Sequence, residues 1–93
     1  GVEIASEAGT QVRPVLPGEV IYSGPFRSYG NVVIVNHGGG LYSIYGHLAG
    51  PLQPKGSRAR PEVALGVIAP GEGRVYLELR QAGRALDPVK WLK

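Results

Sequence analysis

Asn31-Val32-Val33-Ile34-Val35-Asn36-His37-Gly38-Gly39-Gly40-Leu41-Tyr42-Ser43-Ile44-Tyr45-Gly46-His47-Leu48 decides the fold. Val32 to Val35 is the longest β-branched run, and three glycines separate it from a second strand-like run that ends on His47. Two such runs around a glycine turn predict a β-hairpin. Pairing around a three-residue glycine loop would set His37 opposite Leu41 and His47 opposite Asn31.

Outward from the hairpin the chain is a series of short apolar runs between turn residues. Gly1–Ala5 reads as a strand with Val2 and Ile4 on one face and Glu3 on the other. Gln11–Val15 and Glu19–Ser23 read as further strands, with Gly24-Pro25 breaking the latter and a loop over 26–30. Residues 49–61 form a basic, Pro- and Gly-rich connection carrying Lys55, Arg58 and Arg60. A run over 62–69 follows, which Gly66 is expected to bend or bulge. Arg74–Arg80 alternates: Val75, Leu77 and Leu79 point one way, Arg74, Tyr76, Glu78 and Arg80 the other. Ala82-Gly83 turns the chain. Asp87-Pro88 reads as a helix cap and first helical residue, opening one turn over 89–92 with Trp91 on the sheet edge.

With 93 residues, 15 of them Gly and 8 Pro, and 43% hydrophobic content, the expectation is one all-β domain over residues 1–93. The chain opens inside an apparent strand, and the expectation is a C-terminal piece of a longer protein. No cysteine is present, so thiolate metal sites and disulfides are excluded. No apolar run reaches the roughly 18 residues of a membrane span. The net charge of +3 is compatible with an anionic polymer but falls short of a nucleic-acid-binding arm. Scattered arginines and tyrosines form no stacking platform, and the glycine turn has no helix behind it to hold phosphate.

A catalytic zinc needs about three protein ligands. His37 and His47 are the only histidines, and along the ladder they lie about 20 Å apart. They cannot share one metal in a monomer, and His37 reads as structural or solvated. Ser23, Ser28, Ser43 and Ser57 stand in no triad-like context, and Ser43 and His47, of equal strand parity, lie roughly 13 Å apart. Glu3 and Glu78 would pair only if their strands were neighbours.

Several segments, in order along nearly the whole chain, resemble the lysostaphin-type (LytM-domain) peptidoglycan endopeptidases: Gly1–Ala5 with Ala8–Val12, Pro17–Gly24, Tyr29–Gly38, Tyr42–Leu48, and Tyr76–Arg80 with Gly83 and Asp87-Pro88. The resemblance implies a small antiparallel β-sheet or barrel-like sandwich of the duplicated hybrid motif type, with one short C-terminal helical turn. Active members carry zinc on the His and Asp of an H-x-x-x-D motif and on the second His of H-x-H. The first His of H-x-H and the His of Y-x-H-L serve catalysis. Here Glu3 holds the aspartate place, and the His before it would precede Gly1. Arg74 and Tyr76 hold the two H-x-H places, and only His47 is retained. A guanidinium cannot ligate zinc, and a neutral phenol is a poor ligand at pH 7.

The resemblance therefore implies a degenerate, EnvC- or NlpD-type member with no catalytic residue, no metal and no cofactor. Such domains activate separate cell-wall amidases. Glu3, Tyr29, Asn31, His47, Arg74, Tyr76 and Glu78 become candidates for a groove that binds an amidase or another envelope protein. The implied location is the bacterial cell envelope or periplasm. Peptidoglycan binding in the groove, or residual zinc endopeptidase action on cross-links, are the alternatives. A biotinyl- or lipoyl-like carrier is disfavoured because no lysine stands at the hairpin tip.

Overall fold

The computed structural model describes residues 1–86. The expected helical turn and Trp91 contact lie outside the described residues.

The hairpin is central. β4 (Asn31–Gly38) and β5 (Leu41–Ala49) pair antiparallel, β3 (Gly18–Pro25) flanks β4, and β8 (Arg74–Gln81) flanks β5. β1 (Val2–Ala5) and β9 (Arg84–Leu86) share the far edge of β8: β1 takes Arg74–Leu77 and β9 takes Leu79–Gln81. β6 (Arg58–Ala59) closes the opposite end on Gly18 and Glu19, while β2 (Gln11–Val12) pairs with β7 (Gly66–Ile68), which pairs with the end of β5. The sheet is thus all antiparallel. Its only described helix is one 3₁₀ turn at Arg27–Tyr29.

The alternation predicted for β8 holds. Val75, Leu77 and Leu79 are buried, together with Val20, Val33, Val35, Tyr45, Leu48, Leu65 and Ile68. The β4–β5 register holds only in the middle, from Val33↔Tyr45 to Asn36↔Tyr42. At the turn, Gly38 rather than His37 faces Leu41, so His37 is bulged out and the loop is the two residues Gly39-Gly40. Both have positive φ (62° and 80°), as the tight turn matching strand twist requires. At the other end Leu48, not His47, faces Asn31, leaving Gly46 and His47 together against Val32.

Other boundaries also move. β3 runs through Gly24-Pro25, which pair with Val32 and Asn31. β6 covers only the start of β3, so the proline stands where its outer edge is unpaired and no ladder N–H is needed. β2 stops at Val12. Beyond it Pro14 offers no N–H, and a chain of side chains holds the segment instead. Val15 N–H donates to Tyr45 Oη (2.9 Å), and Ser43 Oγ lies 2.7 Å from His37 Nε2. His37 Nδ1 lies 2.8 Å from the Pro17 carbonyl. That carbonyl only accepts, so the imidazole proton sits on Nδ1 and Ser43 donates to Nε2. His37 is therefore structural. Burial pushes the Tyr45 hydroxyl above its ordinary pKa, against the opposing hydrogen bond from Val15 N–H. Gly66 neither bends nor bulges: an added Cβ would lie 2.9 Å from the Leu52 side chain and 3.0 Å from the Ala49 carbonyl, so the residue serves close packing.

Candidate functional site

One face of β8 supplies the site. Arg74, Tyr76, Glu78 and Arg80 alternate outward from the buried face. β1 adds Glu3 directly opposite Tyr76, and β5 adds Gly46 on the other side of Tyr76. Regular alternation would send His47 to the core face with Ser43 and Tyr45. The bulge changes this. Two successive residues on one strand against a single partner re-aim the following side chain, and His47 adopts φ 63°. Its imidazole, 7% exposed, joins Glu3 instead of Ser43. The equal parity assigned to Ser43 and His47 is thereby corrected.

His47 Nε2 lies 3.3 Å from Glu3 Oε2, and His47 Nδ1 lies 3.2 Å from Glu72 Oε1. Arg74 spans the same two acids, with Nε 3.1 Å from Glu3 Oε2 and an Nη2 3.7 Å from Glu72 Oε1. A neutral imidazole has one N–H and can donate to only one of these carboxylates; donation to both needs the imidazolium. Glu72 comes from the β7–β8 connection and was not singled out from the sequence. Its signal is parity: it precedes Arg74 by two residues.

Tyr29, from the 3₁₀ turn, stacks obliquely on Tyr76 with ring centroids 4.7 Å apart, and lies 6.4 Å from the His47 ring. Gly46 permits this approach, since an added Cβ would sit 3.2 Å from the Tyr76 Cβ and 3.4 Å from that of Tyr29. Tyr76 Oη donates to Glu78 Oε1 (2.5 Å), and Arg80 Nε pairs with Glu78 Oε2 (2.5 Å). Glu3 and Glu78 therefore sit on neighbouring strands but serve different partners. Asn31 stands at the bulge opposite Leu48, with no side-chain hydrogen bond among the described residues. Beyond Tyr29 and Tyr76 the face opens into an apolar groove of about 280 Å³ lined by Phe26, Val32, Ile34 and Ile44, with Glu78 and Arg80 at its rim. The sequence reading did not anticipate this groove, because Ile34 and Ile44 read equally well as core.

The donor set does not fit zinc. Arg74 is permanently cationic and already bridges Glu3. Burial, then the hydrogen bond and negative charge of Glu78, push the Tyr76 phenol well above its ordinary range, so it stays protonated at neutral pH. No cluster of three metal-ligating side chains occurs among the described residues.

Glu78 carries a pH dependence. Burial raises its pKa, but the hydrogen bonds from Tyr76 and Arg80 and the charge of Arg80 outweigh it, leaving the folded value below the ordinary 4.5. A carboxyl depressed on folding stabilises fully above its unfolded pKa and loses that contribution as pH falls through the folded value. Thermal scans across the acid range are expected to show a decline in Tm below about pH 4.5 that Glu78→Gln reduces. An unchanged acid limb would contradict the assignment.

Comparison with known proteins gives a consistent set of likenesses. The description "Peptidase family M23" matches residues 1–88. The murein hydrolase activator EnvC of Escherichia coli K12 is 38% identical over 99% of the chain, and the murein hydrolase activator NlpD of the same organism is 28% identical over 99%. The chain spans about a quarter of the length of these relatives, 23% and 25% respectively. Among solved structures, the catalytic domain of the prophage-encoded M23 protein EnpA of Enterococcus faecalis superposes with a TM-score of 0.80 at 23% identity. That match covers 96% of this chain and 75% of the other, and at such identity it establishes the fold alone.

Proposed function

The chain belongs to peptidase family M23, and from that premise we propose that this domain is a catalytically inactive member that binds and activates a cell-wall amidase in the bacterial envelope. The observation that carries the reading is the Arg74–Glu3 ion pair at 3.1 Å. It commits the carboxylate that stands at the aspartate place of the family's metal motif and puts a fixed positive charge beside it. With Tyr76 kept as a phenol, the cluster lacks the ligands a catalytic zinc requires.

What remains is a surface suited to protein recognition. Tyr and Arg are the residues most often found as interface anchors. Here Tyr29 and Tyr76 stack at an apolar groove, and Arg74 stands two residues from Tyr76 on the same face of β8. The names of the two activators, EnvC and NlpD, support the same direction. On this reading Glu3, Tyr29, Asn31, His47, Arg74, Tyr76 and Glu78 shape the contact.

The test uses purified domain, labelled cell-wall sacculi and purified envelope amidases. The domain alone is expected to release no label, with or without added zinc, and zinc is expected to leave its Tm unchanged, since a bound ion would raise it. Mixed with a cognate amidase it is expected to raise label release. Zinc-dependent release by the domain alone would replace this reading with residual endopeptidase action. Sedimentation with sacculi in the absence of any amidase effect would replace it with glycan binding.

A further inference from the structure

We propose that Arg74 and His47 form a carboxylate-recognition pair, that Glu72 fills it internally in the free domain, and that docking exchanges Glu72 for an acidic side chain of the partner protein. This rests on the partner-binding reading above and adds the chemistry of recognition.

The two acids around Arg74 are held differently. Glu3 sits within β1, in register with Tyr76, and its carboxylate meets Arg74 Nε at 3.1 Å. Glu72 sits in the short connection between β7 and β8, between Gly71 and Gly73, both with positive φ. Its backbone is tied there by one turn hydrogen bond, N–H to the Ala69 carbonyl at 3.2 Å. Its carboxylate meets Arg74 Nη2 only at 3.7 Å, outside hydrogen-bond range, while touching His47 Nδ1 at 3.2 Å. Glu3, although the more exposed at 48%, is thus the counter-charge held by strand pairing, and Glu72 is the acid with the looser fit to the guanidinium.

Arg74 is 44% exposed and Glu72 37%, so an incoming group can reach the guanidinium edge without opening the fold. In the exchange the incoming carboxylate takes the place of Glu72 beside Arg74 and His47, and the displaced Glu72 side chain, still tethered two residues from Arg74, turns to solvent. An external carboxylate free to align with the guanidinium would form the charge-assisted hydrogen bonds that the 3.7 Å contact lacks. The apolar groove beside Tyr29 and Tyr76 then favours an acidic residue flanked by apolar ones.

The experiment titrates N-acetyl-Leu-Glu-Leu-amide and its Gln counterpart into isotope-labelled protein and follows the Arg74 Nε–H and His47 ring resonances. The Glu peptide is expected to move both, and the Gln peptide neither. Glu72→Gln removes the internal competitor and is expected to tighten Glu-peptide binding about two- to fivefold, the range of an exposed ion pair. Arg74→Gln is expected to abolish it. Equal binding of the two peptides, or no tightening in Glu72→Gln, would overturn the proposal. Glu72→Gln is also expected to lower the concentration of domain needed for half-maximal amidase activation. Activation that persists with no such shift would refute the carboxylate exchange and leave the activator role standing. Absence of activation by any variant would refute the activator role, with the peptide titration still deciding the exchange.

Discussion

Tyr45→Ala is expected to cost about 3–5 kcal/mol, the range for deleting a buried aromatic ring. Tyr45 is 2% exposed and lies in the main core cluster, between the β4 and β8 strands that carry Val33 and Leu77. Its hydroxyl also holds the segment after β2 by accepting from Val15 N–H. Tyr45→Phe keeps the ring and removes only that acceptor, so it should cost about 1–2 kcal/mol. Domains of this size have only about 5–15 kcal/mol of stability in total. The alanine variant should therefore lose roughly 15 °C or more in Tm, and denaturant midpoints would check the ratio of the two. Equal losses would mean that the hydroxyl, not the packing, dominates. A negligible loss in Tyr45→Phe would mean that the Val15 tether contributes little.

Arg74→Ala is expected to weaken amidase activation by roughly thirtyfold in apparent affinity, about 2 kcal/mol, as for an interface anchor. The guanidinium spans Glu3 and Glu72, so its removal takes the permanent positive charge from between two acids. Tyr76→Ala should produce a comparable loss by a different route. It removes the ring on which Tyr29 rests and the donor to Glu78. Lys55→Ala, on an exposed turn away from this face, should leave activation unchanged, with circular dichroism and Tm confirming intact folding for all three. Retained activation in both Arg74→Ala and Tyr76→Ala would remove this face from the partner contact.

Much of the architecture is legible because it rests on local pattern. The β-branched run, the glycine turn and the β8 alternation each dictate their own strand. The missed parts depend on what lies alongside. The two-residue strand β6 exists because it meets Gly18 and Glu19, and nothing in its own sequence requires it. β9 follows from the Ala82-Gly83 turn, in which both residues take positive φ and return the chain along β8. Gly24-Pro25 reads as a break because an edge position cannot be recognised before the neighbours are known. At the site, the shared face of Arg74 and Tyr76 follows from spacing alone. The partnership of Glu72 with His47 does not. It requires the β7–β8 connection to lie over the end of β5, where Ala69 N–H donates to the His47 carbonyl.

The bulge at Gly46-His47 sets local stability against the job of the side chain. At φ 63° a residue with a Cβ is disfavoured by about 1 kcal/mol relative to glycine. On backbone grounds alone, glycine or asparagine is the better occupant of position 47. A sequence optimised only for folding would place one of them there and lose the imidazole. The fold thus gives up a little stability at this one residue, and in exchange presents a nitrogen base to two acids and an arginine instead of to the core.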